Sequence, residues 1–130
     1  MIWLIRSAMC ALMPPSADLP GVADTGIDAF LAQYRRESSL LLWSGLVLGS
    51  VVFALTPLLT VAIPLPAFLL PRSALERHAR KISTHRFYLL RQTVFLVKMV
   101  AGLCWGAHPD VRKILNLPPY PADPGTWRAT

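Results

Sequence analysis

No charged side chain occurs between residues 38 and 71, and residues 40–70 read LLLWSGLVLGSVVFALTPLLTVAIPLPAFLL. An apolar run of roughly 20 residues or more is long enough to cross the hydrocarbon core of a bilayer as a helix. The run therefore predicts a membrane protein built around an apolar segment at about residues 40–63. Proline sets its limits: Pro57 removes one helical hydrogen bond and predicts a kink before it, and Pro64 and Pro66 stop the helix beyond Ile63. Two other geometries use the same residues. One is a shallower, re-entrant or monotopic helix that ends near Thr56. The other is the buried helix of a small soluble all-helical domain, where Gly45, Gly49 and Ser50 suit close packing. Buried helices usually run about 8 to 20 residues between caps, and a chain of 130 residues has little other material to sheathe a longer one.

Charge is divided unevenly along the chain. Residues 1–71 carry three basic residues (Arg6, Arg35, Arg36) and four acidic ones, whereas residues 72–130 carry ten basic and three acidic. The net charge of +6 thus belongs to the second half. Arg72, Arg77, Arg80, Lys81 and Arg86 follow the apolar run closely and read as a lipid-facing collar, since juxtamembrane cations are drawn to anionic headgroups. If the segment spans, this asymmetry places the C-terminal side in the cytoplasm, with a bacterial inner membrane as the expected location. Nucleic acid is not the expected partner: a binder of that kind shows a recognised motif or a solvated basic face with interleaved aromatics. The opening MIWLIRSAMCALMPPSA has Arg6 inside what would be a signal's apolar region and reads as mature protein.

The remaining elements also read as helices, which makes the expected fold class all-α. Ile5, Ala8, Met9 and Leu12 recur at helical spacing until Pro14-Pro15. Asp24 or Thr25 can cap a second helix in which Ile27, Phe30, Leu31 and Tyr34 share a face. Ser73-Ala74-Leu75-Glu76 fits a capping box that opens a short basic helix over about 73–82. An amphipathic helix follows at about 86–106, with Arg91 and Lys98 on one side. As a second span it is disfavoured by those two cations, which cost about 2.5–3.5 kcal/mol each at a helix centre. Pro109 then begins a further helix, and residues 117–130, rich in proline, are expected to be extended.

Motifs for catalysis are missing. No GxSxG, HExxH, P-loop or GxGxxG pattern occurs, and the seven carboxylates are scattered, so catalysis by this chain alone is not expected. Cys10 and Cys104 form no CxxC or CxxCH pattern. His78, His85 and His108 could ligate a metal only if separate segments converged; otherwise they are surface or interfacial.

The stretch HRFYLLRQTVFLVKMVAGLCWGAHPDVRKILNLPPYP carries a resemblance. Together with the preceding LERHARKIS it resembles the small accessory subunits of flavin-dependent oxidoreductases of the glucose–methanol–choline type. It also resembles the amino-terminal region of membrane-bound long-chain fatty alcohol oxidases and, more distantly, the gluconate 2-dehydrogenase small subunit. In that group an apolar helix with an internal lysine, here Lys98, is followed by an element for which His108 to Leu115 stands. Ser7 to Pro14 and LPGVADTGIDAFL match its first two helices. The chain departs at Asn116-Leu117-Pro118-Pro119-Tyr120-Pro121, where the group has a Gly-Tyr pair followed by Gly-Pro. The resemblance implies a non-catalytic subunit without a cofactor, assembled with a large FAD-binding chain that acts on an alcohol, sterol or similar substrate. In that assembly Ile114, Leu115, Leu117, Tyr120 and Trp127 are the expected partner-binding anchors, because large side chains carry most interface energy. A rival reading is a structural membrane protein that self-associates, or assembles with a transporter, through Gly45 and Gly49, spaced as in GxxxG. A free-standing haem or quinone protein lacks an intramembrane histidine.

Overall fold

The computed structural model describes residues 2–119. Among the described residues seven helices follow one another: α1 Ile2–Leu12, α2 Ile27–Glu37, α3 Leu40–Leu55, α4 Pro57–Thr60, α5 Arg72–Ser83, α6 Tyr88–Ala107 and α7 Pro109–Ile114, with 3-10 turns at Val22–Asp24 and Ala67–Leu69. No strand occurs among the described residues, as the sequence pattern predicts. Helix α1 buries Leu4, Ile5, Ala8, Met9 and Leu12, the periodic face, and packs on α3, α5 and α6.

Helix α2 begins later than expected. Neither Asp24 nor Thr25 caps it; the preceding residue is Gly26, at φ 68°, a left-handed conformation that glycine adopts without a Cβ penalty. Thr25 is instead buried, donating its hydroxyl to the Val22 carbonyl at 2.6 Å and lying 3.5 Å from Cys104 Sγ. Between α2 and α3 the chain is extended at Ser38, and Ser39 Oγ accepts from the Leu42 amide, so α3 starts with its own cap.

The apolar helix is shorter than the 40–63 expected. It ends at Leu55, and the chain re-forms one helical turn from Pro57 before Ala62 takes a positive φ of 57°. The cause is local. Pro57 has no N–H, so the Phe53 carbonyl four residues earlier loses its helical donor. His78 of α5 supplies one: its Nε2 lies 2.8 Å from the Phe53 oxygen. A carbonyl only accepts, so Nε2 carries the proton and Nδ1 accepts from the Thr60 hydroxyl, 2.5 Å away. Lys81 Nζ donates to the Thr60 carbonyl at 3.1 Å. One break in α3 is thus closed by two side chains of α5, and His78, expected at a surface or interface, is fully buried. Burial lowers the pKa of its imidazole, partly offset by the Phe53 hydrogen bond.

Helix α5 starts at Arg72, after an extended Pro71 and with no side-chain cap. That places Ser73 inside the first turn, so the expected capping box does not form, and Glu76 turns outward to Arg72 at 3.4 Å. Helix α6 spans the expected region and packs on α3. A Cβ built at Gly45 would lie 2.7 Å from Leu96 Cδ2, and one at Gly49 would meet the Thr93 carbonyl and Val97. Both glycines thus lie against residues 93–97 of α6. The glycine face is therefore filled from within the chain, where the self-association reading needs it open.

Two outcomes test this packing. Gly49→Ala should destabilise the fold by about 1–3 kcal/mol, since the Thr93 backbone cannot yield. Gly102→Ala, with nothing near its Cβ position, should stabilise α6 by about 0.5–1 kcal/mol; thermal unfolding in mild detergent reads both. Removing the His78 donor should cost about 1–3 kcal/mol in His78→Leu by orphaning the Phe53 carbonyl. In a Pro57→Ala background, which restores an N–H at position 57, that cost should shrink by about 1 kcal/mol; an unchanged cost would refute the link. The pH dependence has a defined sign. The unfolded chain protonates this histidine near 6.5 and the folded chain resists. Stability should be full above that value, fall as pH drops through it, and level off below the depressed folded value. His78→Gln should remove this component.

Candidate functional site

On each of α3 and α6, one flank of the seam faces the core and the other is open. From α3, Leu46, Gly49, Ser50, Phe53 and Ala54 are buried; from α6, Val94, Val97, Val100, Ala101 and Cys104. Opposite the core lie Leu41, Leu48 and Leu55 on α3 and Leu89, Phe95 and Leu103 on α6, each more than half exposed. Helical periodicity puts Leu41, Ser44, Leu48 and Leu55 on one stripe, and Tyr88, Gln92, Phe95, Met99 and Leu103 on another. Both stripes fall on the same side of the seam, because the core occupies the other. The pair thus presents one broad apolar face, interrupted by Ser44 and Gln92 and bordered at Tyr88 by Arg91.

The face continues beyond the end of α3. Leu58, Leu59, Leu65, Phe68 and Leu69 are exposed in the irregular segment, and Phe68 meets Trp3 of α1 edge-on at 5.3 Å between ring centres. Soluble monomers rarely expose contiguous apolar patches beyond a few hundred Å². Among the described residues α6 is the one helix long and apolar enough to cross a membrane, by length and composition alone; α3 is too short. The candidate span has therefore moved from residues 40–63 to the helix that the sequence disfavoured for its cations. Those cations sit on the flank of α6 away from α3: Arg91 stacks over the Tyr88 ring at 5.6 Å, and Lys98 is exposed.

Four of the five basic residues named as a collar lie on α5, spread around about half of its circumference. Ala74, His78, Ala79 and Ile82 are its buried side, and Arg72, Arg77, Arg80 and Lys81 are exposed opposite them. They are not equivalent, however. Arg72 pairs with Glu76, Lys81 is tied to the Thr60 carbonyl and Arg86, beyond α5, lies over the Phe87 ring at 5.6 Å. Sequence reasoning missed the structural duty of Lys81, since its acceptor is 21 residues away.

Of the expected partner-binding anchors, Ile114, Leu115 and Leu117 are exposed, at 50%, 41% and 47%. Tyr120 and Trp127, with most of the expected tail, lie outside the described residues. Arg112 fixes the approach to that segment, donating from Nε to the Pro118 carbonyl at 2.6 Å and from a terminal nitrogen to the Gly106 carbonyl at 3.1 Å.

The other histidines have local roles. His85 Nδ1 accepts from the Phe87 amide. His108 Nδ1 accepts from the Asp110 amide, capping α7. No group of three metal-ligating side chains gathers among the described residues.

Comparison with protein-family models, with curated proteins and with solved structures finds no match to this chain. The likeness to oxidoreductase accessory subunits rests on the residue pattern alone.

Proposed function

We propose that this chain is a non-catalytic, membrane-associated helical subunit that holds a larger FAD-dependent oxidoreductase of the glucose–methanol–choline type at a lipid surface. The observation that carries the membrane part is the shared open face of α3 and α6. Transfer of each half-exposed leucine or phenylalanine from water into lipid contributes on the order of 1 kcal/mol, and six such residues from two helices act together. The geometry favours in-plane, monotopic seating. At 16 residues α3 is about 24 Å long, short of a hydrocarbon core of about 30 Å, and α6 is packed along α1, α3 and α5. With the open face down and the basic side of α5 near the headgroups, the chain sits on the cytoplasmic leaflet of a bacterial inner membrane.

The partner part rests on the resemblance. The flavin, catalytic base and substrate pocket belong to the larger chain, and apolar alcohols or sterols reach it by partitioning into the same lipid. The exposed Ile114, Leu115 and Leu117 of the C-terminal region offer the docking anchors, together with Tyr120 and Trp127.

Flotation with phosphatidylcholine vesicles tests the first part. The wild type should float and resist release by high salt, whereas Leu48→Glu/Phe95→Glu/Leu103→Glu should stay soluble with helix content unchanged. Release of the wild type by salt alone would mean that charge, not the apolar face, does the binding. Extraction in mild detergent tests the second. A flavin-containing chain should co-purify with the wild type and be lost with Ile114→Asp/Leu117→Asp. Purification without any flavoprotein would sink the partner assignment and leave the membrane reading standing.

A further inference from the structure

A groove of about 420 Å³ opens where the end of α1 meets α5 and α6. Its apolar wall is Leu12, Pro14 and Ala79, and its polar wall includes Arg80 of α5 and Lys98 of α6. These two cations come from different helices. Neither makes a side-chain hydrogen bond or ion pair among the described residues. Glu76, the one carboxylate in the lining, is engaged by Arg72. Ser83 and Thr84 also line the groove, but their hydroxyl protons are committed to the Ala79 and Arg80 carbonyls, which leaves the two cations as the available donors. Two like charges lining one concavity favour an anion there.

Position narrows the class of anion. Lys98 stands one helical turn from Phe95, so the groove borders the apolar face. We propose that the groove binds the phosphate of an anionic phospholipid headgroup, with the lipid chains running onto the α3/α6 face and the glycerol region against Leu12, Pro14 and Ala79. Arg80 and Lys98 hold the phosphate as charge-assisted donors. The volume falls within the range of small-molecule sites. This inference rests on the membrane reading for the direction of the chains, and it adds a headgroup preference that the apolar face alone does not give.

The test is run in neutral detergent micelles, where thermal unfolding of the intact chain is followed against added short-chain phosphatidylglycerol, short-chain phosphatidylcholine or inorganic phosphate. Phosphatidylglycerol should raise the unfolding temperature at lower concentration than phosphatidylcholine. Arg80→Gln/Lys98→Gln should weaken that preference at least about tenfold, the effect expected of two cations at a lipid surface. The control Arg77→Gln/Arg86→Gln, which changes the same charge outside the groove, should keep it. Equal loss in both double variants would mean diffuse attraction and overturn the site, as would absence of any preference in the wild type. An equal shift with inorganic phosphate would overturn the lipid assignment in favour of a free anion. The groove variants should still float with phosphatidylcholine vesicles; failure of the wild type to do so would count against the membrane reading and not against the groove.

Discussion

A missing hydrogen-bond donor at Pro57 organises this fold. Without it the apolar segment would offer an unbroken helix long enough to span a bilayer. With it, the Phe53 carbonyl needs a partner inside a buried, apolar setting, where an unmet acceptor costs about 1–3 kcal/mol. His78 meets that need, and in doing so it fixes α5 against the end of α3 and turns the basic side of α5 outward. Thr60 and Lys81 complete the junction from the far side of the break. A local backbone defect thereby becomes a long-range tie, and the placement of the cations follows from it.

The second constraint is the close approach of α3 to α6. Gly45 and Gly49 let the α6 side chains and backbone lie directly on α3, so the two most apolar helices are held side by side. Each spends one flank on the core. On the other flank Leu41, Leu48, Leu55, Leu89, Phe95 and Leu103 stay exposed. A small chain with this much apolar sequence cannot bury all of it. What is left over is gathered on one face rather than scattered, and that arrangement ties packing to the proposed membrane seating.

Legibility in the sequence followed the range of the interactions. Helices α1 and α2 and the approximate extent of α6 were readable because each depends on its own periodicity, as Ile5, Met9 and Leu12 or Ile27 and Leu31 illustrate. The uncharged run was readable as apolar, and Pro57 as a disruption, but not the outcome: ending α3 at Leu55 required a donor 25 residues away. The capping box failed because the N-cap of α5 is Pro71, two residues before Ser73, which places Ser73 inside the helix. Grouping the collar on α5 needed only a period of 3.6 residues, whereas the pairing of Lys81 with Thr60 needed the tertiary fold. Gly45 and Gly49 signalled close packing correctly without indicating that the neighbour would be α6 of the same chain. Nothing in the sequence brought Arg80 and Lys98 to one groove, since they meet only through the packing of α5 on α6.

The central claim is that the α3/α6 face lies in the plane of a lipid surface. Nitroxide labels at Leu41, Leu48, Leu89, Phe95 and Leu103, with Ala32 on α2 as the aqueous reference, measure it directly through their relative collision rates with oxygen and a water-soluble nickel chelate in vesicles. In-plane seating predicts that all five labels meet oxygen in preference to nickel and lie at one shallow depth, while Ala32 meets nickel. A depth profile that peaks at Phe95 and falls towards Leu89 and Leu103 would mean that α6 crosses the bilayer. Nickel access at all five positions equal to that at Ala32 would contradict membrane seating of this face altogether.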